Sequence, residues 1–254
     1  MTKQWTVADI PNLSGKNVIV TGANSGVGYE AARAFAEKGA HVFFACRSRE
    51  RAEEAVAGLR QQNPAVSVEI MILDLADLAS VHDFGQQYNA SHKRLDILVN
   101  NAGLMAIPYR ETADGFEMQF GTNHLGHFAL TGLLLDRLLG TEAARVVTVS
   151  SGLHRSGKLN FDDLQGAQRY DKRVAYSQSK LANLLYAYEL QRKLAGAGQE
   201  AISVGAHPGY SATNLQHVGP NMEDSAIQRG FMTVANSLFA QSSEMGALPT
   251  LYAA

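Results

Sequence analysis

The most constraining feature of this chain is a glycine-rich segment, Thr21-Gly22-Ala23-Asn24-Ser25-Gly26-Val27-Gly28. It is set between a short apolar run, Asn17–Thr21, and an alanine-rich helical stretch, Val27–Lys38. A strand-to-helix turn of this kind turns backbone N–H groups and the positive end of a helix toward a pyrophosphate. Gly22 allows the tight turn, while Gly26 and Gly28 remove side chains where a dinucleotide and the sheet press closest. Three glycines alone are equally compatible with a plain turn. Their place after the first strand of an alternating pattern is what points to dinucleotide binding.

That pattern runs along most of the chain. Candidate strands are Asn17–Thr21, His41–Cys46, Val66–Leu73, Leu95–Val99, Arg145–Ser150 and Ala201–Ala206, mostly apolar on consecutive positions. Strands covered on both faces of a parallel sheet read this way. Between them lie helical stretches at Val27–Lys38, Arg49–Gln62, Leu78–Asn89, Ala113–Leu139 and Val174–Ala197. The alternation predicts an α/β fold with a doubly wound parallel sheet of the Rossmann type and right-handed crossovers. Its 254 residues suit one domain spanning 1–254. Periodicity is weakest over 152–173 and 207–232, both after strand ends, where such sheets bind ligands. A substrate-covering segment is expected at about 207–240. Ser243–Ala254 reads as a helix that stops with no cap and no following strand. A domain of this kind closes its sheet beyond that point, so the last strand is read as missing and a longer natural polypeptide is expected.

Composition removes several function classes. A formal charge of −2 leaves no basic field, which argues against nucleic acid as a partner. The lone Cys46 supports neither an intramolecular disulfide nor a cysteine zinc site, and with no paired base it reads as strand packing. No stretch approaches about 18 uninterrupted apolar residues, and the first fifteen residues lack an apolar signal core. The chain therefore reads as cytoplasmic, with no membrane segment. The single sequon, Asn89-Ala90-Ser91, carries no weight without secretion.

The end of the second strand discriminates between cofactors. An acid there would bond a ribose 2′-hydroxyl, and an arginine would hold a 2′-phosphate. This strand ends Ala45-Cys46-Arg47-Ser48-Arg49, with no acid before Glu50. Guanidinium forks suit a phosphate, so NADP(H) is favoured over NAD(H). A solvated helix start remains the simpler role for Arg47 and Arg49. Asp74, after the third strand, is placed to accept from an adenine amino group or to cap a turn, although Asp77 is the better N-cap. Ala102-Gly103, within Asn100-Asn101-Ala102-Gly103, lets backbone approach the nucleotide. Asn24, Ser25, Val27, Ser48, Leu75 and Asn101 complete the candidate cofactor set.

Tyr176-Ser177-Gln178-Ser179-Lys180 opens a long helix, so Tyr176 and Lys180 stand at i and i+4 on one face. A neighbouring ammonium lowers a phenol pKa from about 10, making Tyr176 a candidate proton donor to a carbonyl oxygen or acceptor from an alcohol. Ser151, at the end of the fifth strand, is placed to hydrogen-bond the same oxygen. Such a Tyr/Lys pair is common in surface helices. It gains weight from the dinucleotide half and the strand-end serine before it. His124 and His127 lack a third ligand spaced for a metal and read as packing. His154 and His207 read as loop residues near the pocket. Leu215, Phe231, Met232, Val234, Leu238 and Phe239 line an apolar pocket or form the buried stripe of ordinary helices.

With these elements in this order, the sequence resembles the short-chain dehydrogenase/reductase superfamily over essentially its whole length. Ala45-Cys46-Arg47-Ser48, Thr122-Asn123-His124-Leu125-Gly126-His127-Phe128, Asn160-Phe161-Asp162-Asp163-Leu164, Tyr176-Ser177-Gln178-Ser179-Lys180-Leu181-Ala182-Asn183 and His207-Pro208-Gly209 are similar to its retinol dehydrogenase-like branch. The 25 positions from Ser151 to Tyr176 fit that branch. The resemblance implies a catalytic set of Asn123, Ser151, Tyr176 and Lys180. In it Asn123 holds a water in a relay reaching Lys180, and Lys180 also bonds the nicotinamide ribose. It makes Ser151 rather than Ser150 the catalytic serine, and Pro208, Gly209 and Thr213 cofactor contacts. It further implies a lipophilic aldehyde, ketone or alcohol as substrate, and a homodimer or homotetramer formed through the Ala113–Leu139 and Val174–Ala197 helices. Two competing readings are a nucleotide-sensing module without turnover and a C=C reductase resembling protochlorophyllide reductase. The complete set of four weighs against the first. The lack of a second cysteine near the pocket weighs against the other.

Overall fold

The computed structural model describes residues 5–209 and 242–254. Six strands pair in parallel among them: β1 (Asn17–Thr21), β2 (His41–Cys46), β3 (Ser67–Ile72), β4 (Ile97–Asn100), β5 (Arg145–Val149) and β6 (Ile202–Ala206). Their order across the sheet is β3-β2-β1-β4-β5-β6. Winding reverses between β1 and β4, which opens a crevice at the carboxyl ends of those strands.

The unbroken apolar runs are explained by burial on both faces. Val18, Val20, Val42 and Phe44 face a cluster that includes Ala31 and Phe35 of α1 (Gly26–Glu37) and Val56 and Leu59 of α2 (Arg49–Gln62). Ile19, Phe43 and Ala45 alternate to the other face. There they meet Phe84 and Tyr88 of α3 (Leu78–Ser91), with Leu130 and Leu194 beyond. Each large side chain buried this way contributes roughly 1.5–3 kcal/mol; β1 and β2 keep no polar face, whereas the edge strand β3 exposes Ser67 and Glu69.

The expected helix over 113–139 is shorter and irregular. Thr112 Oγ1 accepts from the N–H groups of Asp114 (3.3 Å) and Phe116 (3.2 Å), a local turn that competes with helix. Helix begins only at α4 (Met118–Phe120), where the buried Glu117 carboxylate accepts from the N–H groups of Gln119 and Phe120. A π turn, Gly121–Leu125, follows and leads into α5 (Gly126–Leu133) and α6 (Leu135–Leu139).

The long α7 (Lys172–Gly196) starts on Asp171, whose carboxylate accepts from Arg173 and Val174 N–H. The final α8 (Ser243–Ala253) starts on Ser242, whose Oγ accepts from Met245 N–H at 3.2 Å. Ala247 and Leu251 of α8 join the core beside α1. No helix among the described residues is long and apolar enough to cross a membrane.

Candidate active site

A cleft of about 1700 Å³ runs along the carboxyl ends of the strands. Its floor begins at the glycine turn. Gly22 adopts φ +67°, a conformation that disfavours any side chain. A Cβ on Gly28 would meet Asn101 Nδ2 and approach Gly22 O to 2.6 Å, so α1 packs against the turn only with glycine there. Thr21 locks the other side: its Oγ1 accepts from Asn101 and Ala102 N–H, both 2.9 Å away. Asn101 Nδ2 in turn donates to Thr21 O at 2.8 Å. Gly22, Asn24, Ser25, Gly26, Val27 and Gly28 all line the cleft, as do Asn101, Ala102 and Gly103.

The other expected positions divide. Arg47, Asp74, Leu75, Pro208 and Gly209 line the same space. Asp74 also serves its turn, Oδ1 accepting from Ala76 N–H at 2.9 Å, while Asp77 caps α3. Ser48 is not among the lining residues; its hydroxyl caps α2 by accepting from Arg51 N–H. Arg49 points away, toward Glu53 at 4.0 Å. In its stead Arg51 lines the cleft beside Arg47. Arg47 lies just before the Ser48 N-cap and Arg51 in the first turn of α2, so only the fold brings the two to one cleft. Thr213 and the apolar residues from Leu215 to Phe239 lie outside the described residues.

Ser151, Tyr176 and Lys180 converge at the far end, where β5 meets α7. Ser150 Oγ donates to Lys180 O at 2.7 Å and ties the helix to the strand, while Ser151 hydrogen-bonds the Tyr176 hydroxyl. Lys180 Nζ donates to Val149 O at 3.1 Å and sits 5.8 Å from the centre of the Tyr176 ring.

The pKa expected of Tyr176 is reversed. Burial pushes the phenol above its usual 10, and the Ser151 hydrogen bond opposes this only in part. Burial also lowers the Lys180 ammonium, to about 8.

Asn123 stands behind the cleft wall rather than on it. Its Nδ2 donates to Leu104 O and Ser179 Oγ, and its Oδ1 accepts from Leu104 N–H at 2.7 Å. Only Gly103 separates it from Lys180: a Cβ there would lie 3.0 Å from Asn123 Oδ1 and 3.4 Å from Lys180 Nζ.

Among the remaining candidates, Cys46 is buried and its thiol is pushed up to about 11, which removes it as a nucleophile. Burial lowers the His124 pKa, and its Nδ1 lies 3.2 Å from Asn183 Oδ1. His154 Nδ1 is engaged with Ser151 O.

Sequence reasoning missed a polar network beside the cleft. Gln119 Oε1 accepts from Ala106 N–H, and its Nε2 donates to Tyr170 Oη and Lys172 O. Tyr170 Oη lies within hydrogen-bonding distance of Glu117 and Ile107 O. This network ties the loop after β4 to the start of the helix that carries Tyr176.

Comparison with known proteins identifies relatives of the chain. The short chain dehydrogenase family model matches residues 16–224. Retinol dehydrogenase 12 of Mus musculus is 49% identical over 203 residues, covering 80% of this chain and 64% of that protein. Retinol dehydrogenase 14 of Homo sapiens is 43% identical over 256 residues, covering 95% and 74%. The chain thus spans less than two thirds of the first relative's length. A crystal structure of a protein from Mycobacterium paratuberculosis superposes with a TM-score of 0.79 at 46% identity, covering 99% of this chain and 81% of that one.

Proposed function

The chain belongs to the short-chain dehydrogenase/reductase family, in its retinol dehydrogenase-like branch, and on that premise we propose that it is an NADP(H)-dependent oxidoreductase acting on a lipophilic aldehyde, ketone or alcohol. The observation that carries this reading is the single cleft with Arg47 and Arg51 at one end and Ser151, Tyr176 and Lys180 at the other.

The residues present fit a dinucleotide. The Ser25 side chain makes no capping bond, so the first N–H groups of α1 are available to a pyrophosphate. Arg47 and Arg51 supply guanidinium donors where a 2′-phosphate would lie, with no acid at position 47 to oppose it. Asp74 and Leu75 would line the adenine end, Ala102 and Gly103 would let backbone approach the nucleotide, and Pro208 and Gly209 would line the remainder of the cofactor's path. When bound, the cofactor supplies or accepts the hydride.

The chain's own residues manage the oxygen. Ser151 Oγ and Tyr176 Oη hold the substrate oxygen between them. In reduction Tyr176 donates its proton as the carbonyl becomes an alcohol, and in oxidation it takes the proton back. Burial holds the phenol protonated, which suits the reductive direction. Lys180 supplies positive charge beside the tyrosinate and a donor for ribose. Asn123 holds the wall that carries Gly103 and, in the relay the family resemblance implies, holds a water on the way to Lys180. Leu104, Met105, Leu153 and Val174 around the mouth favour an apolar substrate, in keeping with relatives named for retinol.

We read residues 1–254 as one domain, with the segment at about 207–240 covering the substrate. Phe128, Leu185 and Tyr188 stand exposed on α5 and α7, a face suited to pairing copies into a homodimer or homotetramer. The test is the initial rate of NADPH oxidation with retinal, medium-chain aldehydes, steroids and quinones, run beside NADH and with Tyr176→Phe. A rate that prefers NADPH and is abolished in the variant supports the assignment. A rate that survives Tyr176→Phe overturns it.

A further inference from the structure

We infer that His41, Glu69 and His92 form a binding site for a borderline divalent transition metal of the zinc class, at the end of the sheet opposite the cleft. His41 opens β2, and Glu69 is the third residue of β3. The register sets His41 beside Ser67 and Phe43 beside Glu69, so these side chains leave one face of the sheet. α3 covers that face, and His92 is its C-cap. One ligand atom from each of the three residues lies within 4.8 Å of the other two, and His41 Nε2 is 3.6 Å from Glu69 Oε2.

Both rings are prepared for a ligand. His41 Nδ1 is 2.6 Å from Ser67 Oγ. With that nitrogen protonated and donating to the hydroxyl, Nε2 keeps its lone pair on the side of Glu69, as metal-ligating histidines are commonly oriented. His92 stacks on Tyr88, with ring centres 4.8 Å apart, and meets the edge of Phe43 at the same separation. Its Nδ1 is sealed from solvent with no hydrogen-bond partner among the described residues. A plain His41–Glu69 ion pair accounts for two of the three groups. It leaves His92 and its uncommitted nitrogen unexplained.

Zinc bonds of about 2.0–2.2 Å require these donors to draw together. The Glu69 side chain is 48% exposed and free to swing inward. Two imidazoles and one carboxylate favour zinc, nickel or copper over magnesium or calcium, which take oxygen ligands. Water completes the fourth position. Because the ligands come from β2, β3 and the end of α3, the ion acts as a staple holding the edge strand to its covering helix. It lies apart from the proposed chemistry.

The test is calorimetric titration of the chelator-treated full chain with ZnCl2, with thermal unfolding read with and without Zn2+. One saturable site per chain is expected. Binding should weaken at least tenfold in each of His41→Gln, Glu69→Gln and His92→Gln. The Zn2+-induced rise in Tm should vanish in Glu69→Gln, and MgCl2 should give no signal. Glu69→Gln lies at the surface and carries the test should His92→Gln not fold. Absence of saturable Zn2+ binding in the wild type, or a site that survives both His41→Gln and Glu69→Gln, overturns the proposal.

Discussion

His127 Nε2 lies 2.9 Å from the Thr21 hydroxyl, and the Nδ1 of the same ring lies 3.0 Å from Asn123 O. Burial drives the pKa of this imidazole down to about 3, so it is neutral under ordinary conditions. Nδ1–H then donates to the Asn123 carbonyl, and Nε2 accepts from Thr21. One uncharged ring joins the glycine turn, the end of β4 and the π turn that carries Asn123.

Replacing that ring with an apolar one of similar size tests the connection. His127→Phe leaves the Asn123 carbonyl without its ring partner, at about 1–3 kcal/mol, while the Thr21 hydroxyl keeps Val99 O at 3.3 Å. The urea midpoint should fall accordingly. The pH dependence should change as well. Between pH 3 and 6.5 the unfolded histidine binds a proton that the folded one refuses, so wild-type stability rises with pH across that window. His127→Phe should lose that slope. An unchanged slope would remove His127 as its source.

The proposed proton donor and its hydrogen-bond partner should separate kinetically. Tyr176→Phe removes the proton and should lower kcat by about 10²–10⁴, while NADPH binding, followed by fluorescence, stays near wild type. Ser151→Ala removes one donor to the substrate oxygen and should cost about 10²–10³ in kcat. It also removes the hydrogen bond that holds the Tyr176 pKa down. In the oxidative direction its pH–rate profile should therefore move to higher pH.

What was legible in the sequence follows the range of the interactions. Strands β1 and β2 were bounded as observed, because consecutive apolar residues and the glycine turn are local signals of burial on both faces. The start of the helix after β4 was misplaced by five residues, from Ala113 to Met118, because Thr112 and Glu117 arrange the backbone through their own side chains. Apolar spacing does not register such bonds, and it does not distinguish a π turn at Gly121–Leu125 from ordinary helix. The residues around Ser151, Tyr176 and Lys180 were readable from order and spacing. Their electrostatics were not, since Tyr176 and Lys180 answer first to burial. The Gln119–Tyr170 contact joins residues 51 positions apart, and only the fold brings them together.

Cofactor choice rests on Arg47 and Arg51. Each charge-assisted hydrogen bond to a phosphate is worth about 1.5–3 kcal/mol, or roughly 10- to 100-fold in affinity. Arg47→Ala and Arg51→Ala should each raise the KM for NADPH within that range and leave the KM for NADH within about twofold. Steady-state kinetics with both cofactors is the check. Equal losses with NADPH and NADH would mean that the arginines support the cleft and do not read the 2′-phosphate.

Lys180 sets stability against function. Its ammonium is buried and its pKa falls from 10.5 to about 8. Below pH 8 the lysine is protonated in both the folded and unfolded chains, and the fold bears the full cost of the buried charge. From pH 8 to 10.5 the unfolded chain holds a proton that the folded chain has released, so stability rises with pH; above 10.5 both forms are neutral and the cost is gone. In the unliganded protein Lys180→Met should therefore be more stable than wild type at pH 7, by on the order of 1–3 kcal/mol. The advantage should shrink toward zero by pH 10.5. Val149 O does not lose every donor in the variant, because Asn183 Nδ2 also reaches it at 3.2 Å. Urea unfolding at pH 7 and pH 10 measures the difference, and turnover should be lost in the same variant. A difference that stays constant with pH would show that the variant acts through packing and not through the buried charge.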